Sequence, residues 1–197
     1  NSAFSGGVTL SLGTTLNLNN ATALGTGTFV INGGTLNRTG GSGATLTTHN
    51  AQLWNGDFTY TGSSQSLNLG TGAVTLGANR QVTVGGNTLT VGGSIGDSGS
   101  GYTLTKAGAG TLALSGINTF SGATTINAGT LSIAADSGLG AVPAAATPGH
   151  LTFNGGTLEA SETFELHANR GIALTGAGTI DVDAAKTLTY NGIIAGA

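Results

Sequence analysis

Short runs of alternating apolar and polar residues recur along this chain roughly every twenty positions, each closed by glycine or asparagine. Leu112-Ala113-Leu114, Leu131-Ser132-Ile133 and Leu151-Thr152-Phe153 are clear instances. Strand signals begin near Leu112, Leu131, Leu151, Ile172 and Ile193, separated by 19, 20, 21 and 21 residues. Alternation with period two places one face of each run in a core and the other in solvent. Runs of two to four residues leave no room for helices. A recurrence of about twenty residues is the length of one coil of a three-faced parallel β-helix, with coils stacked at about 4.8 Å. The expected fold is therefore all-β: a right-handed, single-stranded parallel β-helix of about 9–10 coils of roughly 20 residues. A β-sandwich would account for the turns but gives no reason for a constant coil length.

A longer repeat contains the shorter one. Phe4-Ser5-Gly6-Gly7-Val8-Thr9-Leu10 matches Phe120-Ser121-Gly122-Ala123-Thr124-Thr125-Ile126. Phe29 to Leu36 matches Leu151 to Leu158, including Asn32-Gly33-Gly34 against Asn154-Gly155-Gly156. Val74-Thr75-Leu76 aligns with Ile172-Ala173-Leu174, and Val82-Thr83-Val84 with Ile180-Asp181-Val182. The chain thus reads as one β-helical domain, 1–197, of two related units, about 1–115 and 116–197. Between Leu36 and Val74 lie 38 positions, and between Leu158 and Ile172 only 14, a difference of 24 that is close to one coil. Both ends fall inside the pattern, whereas solenoids normally finish in an atypical polar cap, so an internal fragment is expected. Asparagines at corners such as Asn32, Asn55, Asn154 and Asn191 tolerate the bend and can stack as amide ladders.

Composition removes several alternatives. Charged residues make up 7% of the chain, against roughly 25% in an ordinary globular protein. Abundant Thr, Val and Ile argue against disorder, and glycine without a three-residue period excludes collagen. Net charge is −3, and the five basic residues Arg38, Arg80, Lys106, Arg170 and Lys186 are scattered, so no patch faces a run of phosphates and no nucleic acid partner is expected. No cysteine is present, which excludes disulfides and thiolate metal sites. No stretch approaches the length of an apolar membrane helix, so direct membrane insertion of this segment is not expected. The first residues lack the basic and apolar regions of a signal peptide.

The stretch from Leu104 to Leu131, Leu-Thr-Lys-Ala-Gly-Ala-Gly-Thr-Leu-Ala-Leu-Ser-Gly-Ile-Asn-Thr-Phe-Ser-Gly-Ala-Thr-Thr-Ile-Asn-Ala-Gly-Thr-Leu, closely resembles the autotransporter-associated β-strand repeat, or passenger-associated transport repeat. The residues that carry the resemblance are Lys106, Gly108, Gly110, Thr111, Leu112, Asn118, Phe120, Gly122, Gly129 and Leu131. Phe4 to Leu10 resembles the back half of another copy, and the rest is similar to passenger β-helix in general. The resemblance implies type V secretion, with an outer-membrane β-barrel in the same parent chain, and display at the bacterial cell surface or release from it. It implies a structural stalk or adhesin shaft, with host cell-surface or matrix molecules as partners and no cofactor. It does not identify what the tip of such a rod does.

Candidate chemistry is sparse. The Gly-x-Gly motifs at 25–27, 70–72, 108–110 and 176–178 open no helix and read as turns rather than phosphate loops. Glu159, Glu162, Glu165 and His167 form the densest polar cluster and, with Asp181 and Asp183 alternating on one strand, could hold a cation or work as acid and base. The cluster is better read as a solvated loop leaving the coil. No nucleophile-elbow motif joins a serine to His49, His150 or His167. Gly96-Asp97-Ser98-Gly99-Ser100-Gly101 has a calcium-loop flavour but occurs once. Thr-x-Thr steps at 45/47, 88/90 and 103/105 do not recur at every coil as an ice-binding array would need. Trp54, Phe58 and Tyr60 sit in the segment that reads as an extra coil and are candidate surface contacts, or else fill a widened core. The chain is expected not to be an enzyme. A module that binds host cells directly is the alternative, and a carbohydrate-active β-helix enzyme is a more distant one.

Overall fold

Two- to seven-residue strands separated by glycine-rich corners account for nearly all regular structure in the computed structural model, which describes residues 4–40 and 44–196. The single exception among those residues is a 3₁₀ turn, Asp136–Leu139. Every recorded strand pairing is parallel. Three sheets form the walls. Sheet I has five strands, Val8–Leu10, Phe29–Ile31, Gln52–Trp54, Val74–Leu76 and Ile95–Gly96. Sheet II has nine and runs from Thr15–Asn17 to Ile194–Gly196. Sheet III has seven, from Ala44–Thr45 to Thr179–Val182. A short pair, Phe164–Leu166 with Leu188–Tyr190, walls the last coils. The result is a parallel β-solenoid of about 8 turns of about 22 residues, slightly fewer and longer coils than the spacing suggested.

The longer coil has an identifiable source. Leu112 and Leu131 do stack, on sheet III, but the next residue of that column is Leu158, 27 positions on. Leu151 belongs to sheet II, in register with Thr124 and Ile172. The series of strand signals therefore changes sheet between Leu131 and Leu151, passing over a loop that follows the 3₁₀ turn.

Alternation builds the core in columns. On sheet III, Leu67, Leu89, Leu112, Leu131 and Leu158 stack in register, and each is buried. The facing column of sheet II runs Phe58, Val82, Lys106, Ile126, Phe153 and Leu174, apolar except for one lysine. Stacked leucines and β-branched residues bury their side chains against identical neighbours above and below, which is where a solenoid gains its stability. Outside, Thr88, Thr111, Thr130, Thr157 and Thr179 form a five-rung column on sheet III. A second threonine column, Thr15, Thr35, Thr59 and Thr83, runs up sheet II. Single threonines thus do recur coil after coil on one face, although paired Thr-x-Thr steps do not, because the neighbouring column on sheet III reads Thr90, Ala113, Ser132, Glu159, Asp181.

Corner asparagines pair across coils. Asn37 donates to Asn17 at 3.2 Å, Asn55 to Asn32 at 3.1 Å and Asn154 to Asn127 at 3.3 Å. These are two-rung amide contacts rather than long ladders, and Asn191 donates instead to Glu165.

Candidate functional site

The polar groups inside this wall concentrate in the stretch that carries the repeat and in the loop that follows it. Lys106 occupies an inward position because it alternates with Leu104 on the strand Leu104–Ala107. Its side chain is fully buried and meets no carboxylate. Instead the ammonium donates to three carbonyls: Ala107 at 2.9 Å, Gly108 at 2.7 Å and Ala128 of the next coil at 3.1 Å. Burial pushes its pKa down to about 8.

Around this cation the turn is tight. Gly108 has φ +78°, and a Cβ there would lie 2.4 Å from the Val84 carbonyl oxygen of the coil below. Gly129, φ +63°, stacks on Gly108 in the same manner. Gly110 donates its N–H to Val84 at 2.8 Å, and Gly122 packs against the Tyr102 carbonyl. Thr111 faces outward on sheet III while Leu112 and Leu131 are buried in the leucine column.

Asn118 links three coils. Its Oδ1 accepts the Ile95 N–H at 2.9 Å from the coil below, and its Nδ2 donates to the Gly138 carbonyl at 2.8 Å above. Phe120, next but one, is fully buried. Asp97 acts similarly. One carboxylate oxygen accepts the Gly99 N–H at 3.0 Å, and the other accepts the Tyr102 N–H at 3.0 Å and both the N–H and hydroxyl of Ser121, at 3.1 and 2.9 Å. Burial raises its pKa, but these four donors outweigh that and hold it below the usual value. The loop Gly96 to Gly101 is thereby a clasp onto the next coil, with its carboxylate already saturated by protein donors.

The most elaborate cluster was not legible in the sequence. Arg170, fully buried, makes a two-pronged ion pair with Asp136, Nε to Oδ1 at 2.8 Å and a terminal nitrogen to Oδ2 at 3.0 Å. It also donates to the carbonyls of Leu139 at 3.1 Å and Gly140 at 2.7 Å, so one guanidinium pins the whole 3₁₀ turn. His150 lies 3.5 Å from it. Burial lowers the His150 pKa and the Arg170 charge adds to that, against weaker opposing effects of Ser121 and Asp136. Asn50 plays the matching part for the first loop, donating to the carbonyls of Gly25 at 3.0 Å and Gly27 at 2.6 Å. The shared Leu24-Gly25 and Leu139-Gly140 steps were the available signal for both.

Of the two readings of the aromatic trio, surface contact or core filling, the burial favours the second. Trp54 and Tyr60 are 0% exposed and Phe58 3%. Trp54 donates its indole N–H to Gln52 at 3.2 Å and packs edge-on against Phe58, ring centroids 4.9 Å apart. Tyr60 donates its hydroxyl to the Gln65 carbonyl. Alternation sends these rings inward, so they offer nothing to an external partner.

The acidic cluster is likewise not a loop leaving the coil. Glu159 lies on a sheet III strand, in register with Asp181 of the next coil. Glu162 pairs with Lys186, Glu165 accepts from Asn191, and the His167 N–H donates to Asp136. Among the described residues no group of three or more His, Asp or Glu side chains converges as a metal site would require.

A parallel β-solenoid tied by buried cross-coil side chains over one defined repeat is the class this geometry sets out. Residues 104–133 match the family described as passenger-associated-transport-repeat, so the chain carries an autotransporter passenger repeat. Over 94 residues, 48% of the chain, it is 42% identical to "Adhesin BmaC autotransporter" of Brucella suis biovar 1 (strain 1330). That match spans 2% of the relative's length. No solved structure matches the chain.

Proposed function

We propose that this segment is a non-catalytic shaft within an autotransporter passenger, displayed at the bacterial surface or released, whose parent chain ends in an outer-membrane β-barrel. In this reading the repeat at 104–133 is a lock that fixes each arriving coil onto the last during export. The observation that supports it is the coincidence of the matched repeat with the cross-coil pegs Lys106 and Asn118. Stability in a solenoid resides in interfaces between neighbours, so a coil that bonds both ways favours stepwise folding.

The test uses the full passenger with its barrel. Asn118→Ala and Lys106→Met are compared with Trp54→Ala, which lies outside the repeat, and surface passenger is measured by protease accessibility on intact cells. The repeat variants should lower display more than the core variant at equal loss of stability. Display that simply follows stability removes the special export role of the repeat. A second reading, direct binding to host cells, is favoured by the adhesin name of the relative. Beads coated with the segment should then attach to host cells, and the passive shaft predicts no attachment.

A further inference from the structure

The outer face of sheet II carries a groove of about 330 Å³ across the first four coils. Its floor is the in-register column Thr15, Thr35, Thr59 and Thr83. At the strand spacing these four rungs cover about 14 Å. Leu12, 82% exposed, stands at one end, with Asp57 and Gln81 beside the other rungs. The corner side chains around it are already used: Asn37 bonds Asn17, and Asp57 holds Arg80 at 3.2 Å and the Gln81 N–H at 2.9 Å. The Thr83 hydroxyl meets only the Gln81 amide, at 3.4 Å. Among the described residues the hydroxyls of Thr15, Thr35 and Thr59 bond to no other protein group, and Thr35 and Thr59 are half-buried in the floor. Aligned along a concave wall and not tied to other side chains, these hydroxyls are donors and acceptors that a ligand can reach.

We infer that this groove binds a neutral oligosaccharide laid along the rod axis. Sugar hydroxyls, like threonine hydroxyls, both donate and accept, so each rung can meet a ring without matched charge. Arg80, beside the groove, is engaged by Asp57, and the free face of that carboxylate repels polyanions such as sulfated glycans. An extended peptide is a poorer fit, because its backbone amides seek a sheet edge, and this is a sheet face. Leu12 offers the apolar contact that the carbon face of a sugar ring uses. The inference adds a ligand to the shaft and does not depend on the export role.

The test is titration calorimetry of the intact segment with cellohexaose, maltohexaose and N-acetylchitohexaose, and with a heparin hexasaccharide as polyanion. At least one neutral hexasaccharide should bind, with a dissociation constant on the order of 1 mM or below. The double variant Thr35→Val/Thr59→Val keeps β-branched side chains and should weaken it roughly tenfold or more, at one hydrogen bond or so per hydroxyl. Thr111→Val/Thr130→Val, on the threonine column of sheet III, should leave it unchanged. Absence of binding by all three neutral sugars, tighter binding of heparin, or equal loss in both double variants each overturns the assignment. None of these outcomes bears on display in the export assay.

Discussion

Lys106 offers the sharpest test of how this solenoid is held together. Its ammonium is buried in an otherwise apolar column and compensated only by carbonyl dipoles. The folded-state pKa of about 8 lies below the ordinary lysine value of 10.5. Between those values the unfolded chain binds more protons than the folded one, so stability rises with pH across that window. At about 1.4 kcal/mol per pH unit, raising the pH from 7.5 to 9.5 should add at most about 2 kcal/mol. The three carbonyls favour the charged form, which is why this is an upper bound. Lys106→Met removes the titration and should be flat over the same range. At pH 7 it also strips the donor from Gly108 and Ala128, whose carbonyls lie outside the strand ladders, and should destabilise by about 1–3 kcal/mol. Urea unfolding at pH 7.5, 8.5 and 9.5 on both proteins isolates the difference. Identical slopes against pH would refute a desolvated ammonium at this site. Above pH 10 stability should fall in both proteins, because burial raises the Tyr60 and Tyr190 pKa values and their neutral forms stabilise the fold only until they ionise.

Three further outcomes follow from the other buried groups. Arg170→Met leaves Asp136 and the carbonyls of the 3₁₀ turn without their donor, and should cost about 3–5 kcal/mol; limited proteolysis should then cut first between residues 136 and 149. Asp97→Ala strands four donors and should lower stability by about 2–4 kcal/mol in urea. The wild-type contribution of Asp97, whose pKa is held below 3.8, is present above that value and lost as pH falls through the folded-state pKa, so the gap between the two proteins should close in acid. Trp54→Ala opens the core and should cost about 3–5 kcal/mol by thermal or urea melts, while leaving any cell or glycan binding intact.

The coil was legible because period-two alternation is local: Leu112-Ala113-Leu114 needs only its own backbone to show which residues go inside. Lys106 alternates with Leu104 on the inward face of its strand, but a lysine at such a position reads as an error until its three carbonyl acceptors are known. Those acceptors come from residues 1, 2 and 22 positions away, and the last cannot be found without the register. For Trp54, Phe58 and Tyr60 the sequence left surface contact and core filling both open, for a related reason. Their inward direction follows from alternation with Leu53 and Thr59, yet the width of the core that receives them depends on neighbouring coils. The Arg170–Asp136 pair spans 34 residues and a loop that breaks the coil length, so no periodicity pointed to it.

The two related stretches of the chain show what a solenoid repeat actually encodes. Val8–Leu10 lies on sheet I and its counterpart Thr124–Ile126 on sheet II; Phe29–Ile31 lies on sheet I and Leu151–Phe153 on sheet II; Thr35–Asn37 lies on sheet II and Thr157–Ala160 on sheet III. Each counterpart has moved round the rod by one face. The axial contacts survive the rotation. Thr26 donates its N–H to the Phe4 carbonyl at 3.0 Å, as Ala141 does to Phe120 at 2.9 Å. Gly25 sits over the Phe4 ring as Gly140 sits over Phe120. Asn50 and Arg170 then bind the carbonyls of the two loops from the coil that follows. All three walls present the same alternation to the same core, so a strand is specified by what lies directly above and below it, not by the wall it occupies. A segment whose length is not a whole number of coils can therefore be accommodated, provided its own coils stay in axial register. That tolerance suits a rod whose requirement is continuous stacking along its length.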